Sequence, residues 1–140
     1  MTLYLAYGSN MSRRQMAGRC PGARVQGTVV LTGWRFIINR VGYATIIPDP
    51  AGRVGAVLWR LAPGNETVLD DYEEVGAGLY QRRFLDVDGV GRALVYVAAD
   101  STPGVPRPRY FAGLLAGARR EGLPPDYLEE LNSWSGQPTM

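Results

Sequence analysis

The sequence predicts one α+β domain spanning residues 1–140, a small mixed sheet of about six strands with flanking helices. Three observations carry that expectation. A chain of 140 residues with 46% hydrophobic content suits a single core. Its 18 glycines and 10 prolines divide it into short elements, with no repeat or low-complexity tract. Strand-like and helix-like runs are interspersed, and one pair of strands meets at Asp88-Gly89, a hairpin signal. A hairpin requires antiparallel pairing, so a mixed sheet is favoured over a doubly wound parallel one.

The elements follow in order. Leu3 to Tyr7 is a short apolar and aromatic strand ending at Gly8-Ser9-Asn10. Met11 to Arg19 reads as a helix, with Ser9, Asn10 or Ser12 available to cap it. Val25 to Asn39 is rich in Val, Ile, Phe and Trp and reads as a strand, with Gly27 and Gly33 as bulges or kinks. Ala44 to Ile47 is a further strand stopped by Pro48-Asp49-Pro50, and Val54 to Leu61 reads as a buried one. Pro63-Gly64-Asn65 breaks the strand, and Asn65 can cap a helix in which Val68, Leu69, Tyr72 and Val75 share helical spacing, with Gly76 and Gly78 as its stop. Leu79 to Val87 and Ala93 to Ala99 form the hairpin, and Thr102 to Pro108 is a proline-stiffened loop. Arg109 to Glu121 is a helix with Pro108 at its start and Gly122 as its stop, and Asp126 to Leu131 is a last short helix.

Composition excludes several chemistries. There is no histidine, and all 15 Lys+Arg residues are arginine. Without histidine no Ser-His-Asp or Cys-His dyad and no His/Cys zinc site can form. Without lysine there is no Schiff base and no P-loop cation. A general acid or base must come from the 13 carboxylates, the 8 tyrosines or the amino terminus. The net charge of +2 and the scattered arginines argue against nucleic acid as a partner. The apolar runs are strand-sized and the amino terminus lacks a basic leader, so neither a membrane partner nor a signal peptide is expected. Lone Cys20 cannot form an intrachain disulfide, and a cytoplasmic protein, monomer or homodimer, is the expectation.

Two segments could carry chemistry. Tyr7-Gly8-Ser9-Asn10 turns from strand to helix through a glycine that allows close backbone approach, and the following amides suit an anion. The same residues would also serve as a capped turn that binds nothing. Asp70, Asp71, Glu73 and Glu74 crowd the C-terminal end of a helix, where the macrodipole disfavours acids. Asp70 and Glu74, four residues apart and away from Val68 and Tyr72, are expected to face water. Glu73 follows Leu69 by one turn, at the edge of the apolar face, and is the acid best placed for partial burial and a raised pKa. The competing reading is four solvated charges. Tyr4, Tyr7, Tyr80 and Tyr110 could hydrogen-bond a ligand or simply fill the core.

With these residues in view, the chain resembles the gamma-glutamylcyclotransferase-like family. Tyr4-Leu5-Ala6-Tyr7-Gly8-Ser9-Asn10 looks like its amino-terminal signature. Gly55-Ala56-Val57-Leu58-Trp59, Leu69-Asp70-Asp71-Tyr72-Glu73 and Gly78-Leu79-Tyr80 resemble the segment around its catalytic glutamate. Pro108-Arg109-Tyr110 and the stretch from Gly117 to Leu128 complete three ordered blocks. The resemblance implies a barrel-like mixed sheet, a pocket at the glycine loop, and no metal or cofactor. It implies cleavage of a small gamma-glutamyl amide by its own α-amine, giving 5-oxoproline and a free amine or amino acid. It assigns Glu73 as general acid/base, with Tyr4, Leu5, Ala6, Tyr7, Gly8, Ser9, Asn10, Tyr80 and Tyr110 in the substrate-binding segments. Glu74 departs from the pattern, which commonly has glycine after the glutamate. A noncatalytic metabolite-binding module and a specialised enzyme acting on a gamma-glutamylated intermediate are the alternatives.

Overall fold

The computed structural model describes residues 2–135; Met1, whose amine was one candidate acid/base group, lies outside them. Five strands and four helices are present among the described residues. The strands are β1 (Leu3–Ala6), β2 (Arg24–Ile38), β3 (Ala44–Arg60), β4 (Tyr80–Val87) and β5 (Gly91–Ala98). The helices are α1 (Arg13–Arg19), α2 (Asn65–Tyr72), α3 (Pro108–Arg120) and α4 (Pro125–Asn132). None of the helices among these residues is long and apolar enough to cross a membrane.

The sheet runs β2-β3-β1-β5-β4. Central β1 pairs antiparallel to β3, from Leu3 opposite Arg60 to Ala6 opposite Val57, and parallel to β5 at Tyr4 opposite Leu94. The sheet is therefore mixed, as the Asp88-Gly89 hairpin between β4 and β5 requires. The strand count is five because Ala44–Ile47 and Val54–Leu61 are the two ends of one strand. The interrupting Pro48-Asp49-Pro50 does not end β3, because it falls at a break in the ladder: the pairing passes from Thr32 opposite Arg53 to Trp34 opposite Pro48. Gly33 is skipped on one side with φ +87, and residues 49–52 bulge on the other.

That irregularity folds the β2–β3 hairpin over. At roughly 3.3 Å per residue, a straight β3 would carry Ala44 on the order of 40 Å from Val57. Val57 faces Ala6, two residues before Gly8, yet the Ala44 side chain lies 3.7 Å from where a Gly8 Cβ would sit. Thr45 also reaches β5, its hydroxyl accepting from the Ala98 N–H at 2.9 Å. The hairpin tip thus curls over the end of the sheet. The sheet is not closed into a barrel, since β2 and β4 remain its two edges.

Apolar residues from every layer meet in one core. Leu5, Val54, Ala56, Val57, Leu94 and Val95 come from the sheet, Met16 and Leu69 from α1 and α2, and Leu114, Ala118 and Leu131 from α3 and α4. Gly117 lets α3 approach the Met11–Ser12 backbone, 3.3 Å from where its Cβ would be. Gly55 leaves room for the Tyr127 ring, which a Cβ would meet at 2.8 Å.

Two helix starts differ from the sequence expectation. The segment after Gly8 is a single 3-10 turn, Ser9–Met11, and α1 starts only at Arg13, capped by Ser12 Oγ accepting from the Gln15 N–H at 3.1 Å. The second difference concerns Asn65, which does not cap α2. Gly64 takes the cap position in a left-handed conformation, and the Asn65 side chain turns back to accept from the Ala62 N–H at 2.8 Å.

Candidate active site

The ends of β1 and β5 and the beginnings of β3 and β4 come together at one end of the sheet, and a cleft of about 700 Å³ opens there. Its floor includes Glu73, Tyr80 and Tyr110, and its walls come from α1, the hairpin tip, the α2–β4 connection and the start of α3.

Glu73 owes its place to how α2 ends. The helix stops at Tyr72, Glu73 caps it with its N–H donating to the Leu69 carbonyl at 2.9 Å, and Glu74 follows in a left-handed conformation at φ 50, ψ 46. A non-glycine residue is uncommon there. The Glu74 carbonyl accepts from the N–H groups of Ala77 and Leu79 at 3.1 and 3.2 Å, which holds the reversed connection. This break corrects the expected helical relation of Asp70 and Glu74. Asp70 is half-buried, accepting from Tyr96 Oη at 2.7 Å and from Arg82 at 3.0 Å, whereas Glu74 is exposed. Tyr72, expected on the apolar face, is 53% exposed and stacks under Arg19 at 4.0 Å.

Glu73 is mostly buried, and desolvation of its charged form lifts its pKa to about 7; Arg19 nearby opposes the rise. Two tyrosines grip the Ala44 backbone beside it. Tyr80 Oη donates to the Ala44 carbonyl at 2.6 Å, and Tyr110 Oη accepts from the Ala44 N–H at 3.1 Å. Accepting that bond leaves the Tyr110 hydroxyl proton to be given elsewhere. Burial raises the pKa of both phenols, and the Glu73 charge adds to it, so both stay protonated.

The other residues singled out from sequence fall into two groups. Ser9 lines the cleft, its Oγ accepting from Gln15 Nε2 at 2.8 Å. Gly8 lies behind it, with its Cβ position 3.2 Å from Tyr110 Oη. Tyr4, Leu5, Ala6, Tyr7 and Asn10 do not line the cleft and are buried behind it. Leu5 and Ala6 face the core because β1 is the central strand. Tyr7 donates to the Tyr96 carbonyl. Asn10 is a latch: it donates to Tyr4 Oη at 3.0 Å, accepts from Gln15 and Arg19 at 2.9 and 3.1 Å, and its carbonyl takes the Trp59 indole N–H at 3.1 Å. The amides after Gly8 belong to the 3-10 turn, so no α-helix dipole stands behind them.

The lining residues not singled out from sequence include Gln15, Arg19, Tyr43, Arg107 and Arg109. Arg19 sits in the last turn of α1, where a cation is ordinary. Arg109 gave a readable signal, since an arginine in the first turn of α3 with no acid beside it opposes the helix dipole. Tyr43 stands edge-on to Tyr110, with ring centroids 5.0 Å apart, and Arg107 covers it at 4.7 Å. Among the described residues no acidic or cysteine cluster is grouped to hold a metal ion.

Comparison with known proteins agrees with this architecture. The gamma-glutamylcyclotransferases of Mus musculus and Homo sapiens are each 28% identical to this chain, over 94% of it and 77% of their own length. A solved structure of a gamma-glutamyl cyclotransferase superposes with a TM-score of 0.88 at 26% identity, covering 99% of this chain and 90% of that one. A sequence model of the AIG2-like family matches residues 53–131, from the buried half of β3 through α2 and its terminal glutamates to α4, and the chain belongs to that family.

Proposed function

We propose that the protein is a cofactor-independent gamma-glutamyl cyclotransferase of the cytoplasm. It cleaves a gamma-glutamyl amide by attack of the substrate's own α-amine on the side-chain carbonyl, releasing 5-oxoproline and a free amine or amino acid. The observation that carries the reading is Glu73: a carboxyl group lining the cleft beside Tyr80 and Tyr110, with a pKa lifted to about 7.

The reaction asks little of the protein beyond proton transfer and positioning. The nucleophile is part of the substrate, and closing a five-membered ring brings it to the carbonyl at high effective concentration. The new C–N bond forms as the old amide C–N bond breaks. The α-ammonium loses two protons to become the lactam N–H, and the leaving amide nitrogen gains two to depart as an ammonium. Ionised Glu73 accepts each proton and returns it to the leaving nitrogen, and a pKa near the operating pH serves both directions. Tyr110, with its hydroxyl proton free to donate, stabilises the negative charge developing on the carbonyl oxygen. Arg19 and the Ser9 edge receive the glutamyl α-carboxylate.

The test is 5-oxoproline release from a panel of gamma-glutamyl amino acids and amines. Wild type should release it, and Glu73→Gln, nearly the same in shape but unable to move the proton, should lose about 10²- to 10⁴-fold in rate. Equal release by both proteins would remove Glu73 from the role. Release by neither would leave a binding module.

A further inference from the structure

Beyond Glu73 and the tyrosines, the outer part of the cleft has a chemistry of its own. Among the described residues six large apolar side chains are exposed, and three of them, Val41, Tyr72 and Leu79, line this cleft. A fourth, Val105, at 67% exposure, lies on the adjoining loop, whose backbone oxygen at that residue is 3.1 Å from the Gly42 Cβ position. Apolar surface gathered at the mouth of one concave site is a binding feature more than chance exposure. Arg107 and Arg109 stand at the same mouth. Arg107 is fixed there, Nε donating to the Val41 carbonyl at 2.8 Å and its guanidinium over Tyr43. Arg109 is exposed and has no partner among the described residues. Of the carboxylates nearby, Asp100 is taken up by Arg40 and by the Thr102 N–H, and Glu74 is an exposed lining residue on the α2–β4 connection.

Resting on the cyclotransferase reading, we propose that the group released is an α-amino acid with an apolar side chain of about leucine size. Its carboxylate is held by Arg107 and Arg109, and its side chain lies against Val41, Leu79 and Tyr72. A fixed guanidinium beside a free one suits a carboxylate that approaches from solvent. The exposed aliphatic side chains gain burial only when an apolar group covers them. Amines lacking a carboxylate, and amino acids with a charged side chain, use half of this surface or are repelled by it.

Three compounds separate the terms: gamma-glutamyl-leucine, gamma-glutamyl-glycine, and gamma-glutamyl-isoamylamine, which keeps the branched chain and lacks the carboxylate. The wild-type kcat/KM for the leucine compound should exceed that for each of the others by about tenfold or more. In Arg109→Gln, and in Arg107→Gln if its melting curve remains native-like, the leucine-to-isoamylamine ratio should fall toward one. In Leu79→Ser the leucine-to-glycine ratio should narrow. Comparable kcat/KM for all three compounds in wild type, or variants that lower all rates without changing these ratios, would overturn this assignment while leaving the cyclotransferase reading intact. Release of 5-oxoproline from none of them would overturn both.

Discussion

The burial that makes Glu73 useful also makes it costly, and both effects follow from one pKa. A carboxyl at about 7 in the folded protein and near the ordinary glutamate value in the unfolded chain keeps its proton in the folded state over the interval between the two. The folded state binds more protons there, so stability falls as pH rises from about 4.5 to 7, and above 7 a buried charge persists. At pH 8 Glu73→Gln should therefore be more stable than wild type by about 2 kcal/mol, allowing for some solvent contact, and the difference should vanish by pH 4. Denaturant titrations at the two pH values check this; a variant less stable than wild type at pH 8 would contradict it. In the proposed reaction the ionised form acts first, so kcat/KM should rise with pH through a midpoint near 7. Arg19 lowers the Glu73 pKa, and Arg19→Gln should move that midpoint to higher pH. Much of this was readable in the chain. The one-turn spacing from Leu69 puts Glu73 at a buried edge, and the absence of histidine and lysine narrows the search to acids and tyrosines. Arg19 was not readable, because its role depends on α1 packing beside α2 and its own position suits an ordinary helix C-terminus.

At the level of elements, the strand-to-turn segment after β1 behaves differently from its sequence appearance. Gly8 looks like the first residue of a helix-borne anion site, but α1 begins only at Arg13 and the intervening 3-10 turn is a spacer. What Gly8 supplies is clearance. A Cβ there would stand 3.2 Å from Tyr110 Oη, and Tyr110 is held in place by the Ala44 N–H. Gly8→Ala must displace the phenol by a few tenths of an ångström or break that bond. We expect roughly a tenfold loss in kcat/KM with a stability loss of about 1 kcal/mol or less. Gly76→Ala is the matched control on the α2–β4 connection: nothing lies within 4 Å of its Cβ position and its φ is ordinary, so it should change stability by no more than about 0.5 kcal/mol. Equal activity in the two variants would show that Tyr110 tolerates displacement. The end of α2 is a similar lesson. Regular spacing of Val68, Leu69, Tyr72 and Val75 suggests a longer helix, and only the contacts beyond Glu74 set the left-handed break that opens the cleft.

For the molecule as a whole, the site exists because the β2–β3 hairpin bends far enough to bring its tip to the end of β1. Sequence marked Gly27 and Gly33 as places for a bulge, but gave no sign that the segments on either side of Pro48-Asp49-Pro50 are one strand, because the partner that keeps them paired is β2 and the pairing is long-range. Gly33 sits at the bend with φ +87 and nothing within 4 Å of its Cβ position. Alanine there meets no neighbour; its cost is the left-handed backbone itself, about 1–2 kcal/mol, and the chain can relieve it by opening the bend. Gly89 offers the same test at the opposite end of the sheet from the cleft: φ +76, again with open space, in the β4–β5 turn. Gly33→Ala and Gly89→Ala should lower Tm similarly, by about 2–4 °C for each kcal/mol. Only Gly33→Ala should also reduce kcat/KM at 25 °C, because Ala44, the backbone anchor of Tyr80 and Tyr110, rides on the hairpin it straightens. If both variants kept full activity while losing stability, the bend would be a packing feature and the grip of the two tyrosines on Ala44 would be set locally.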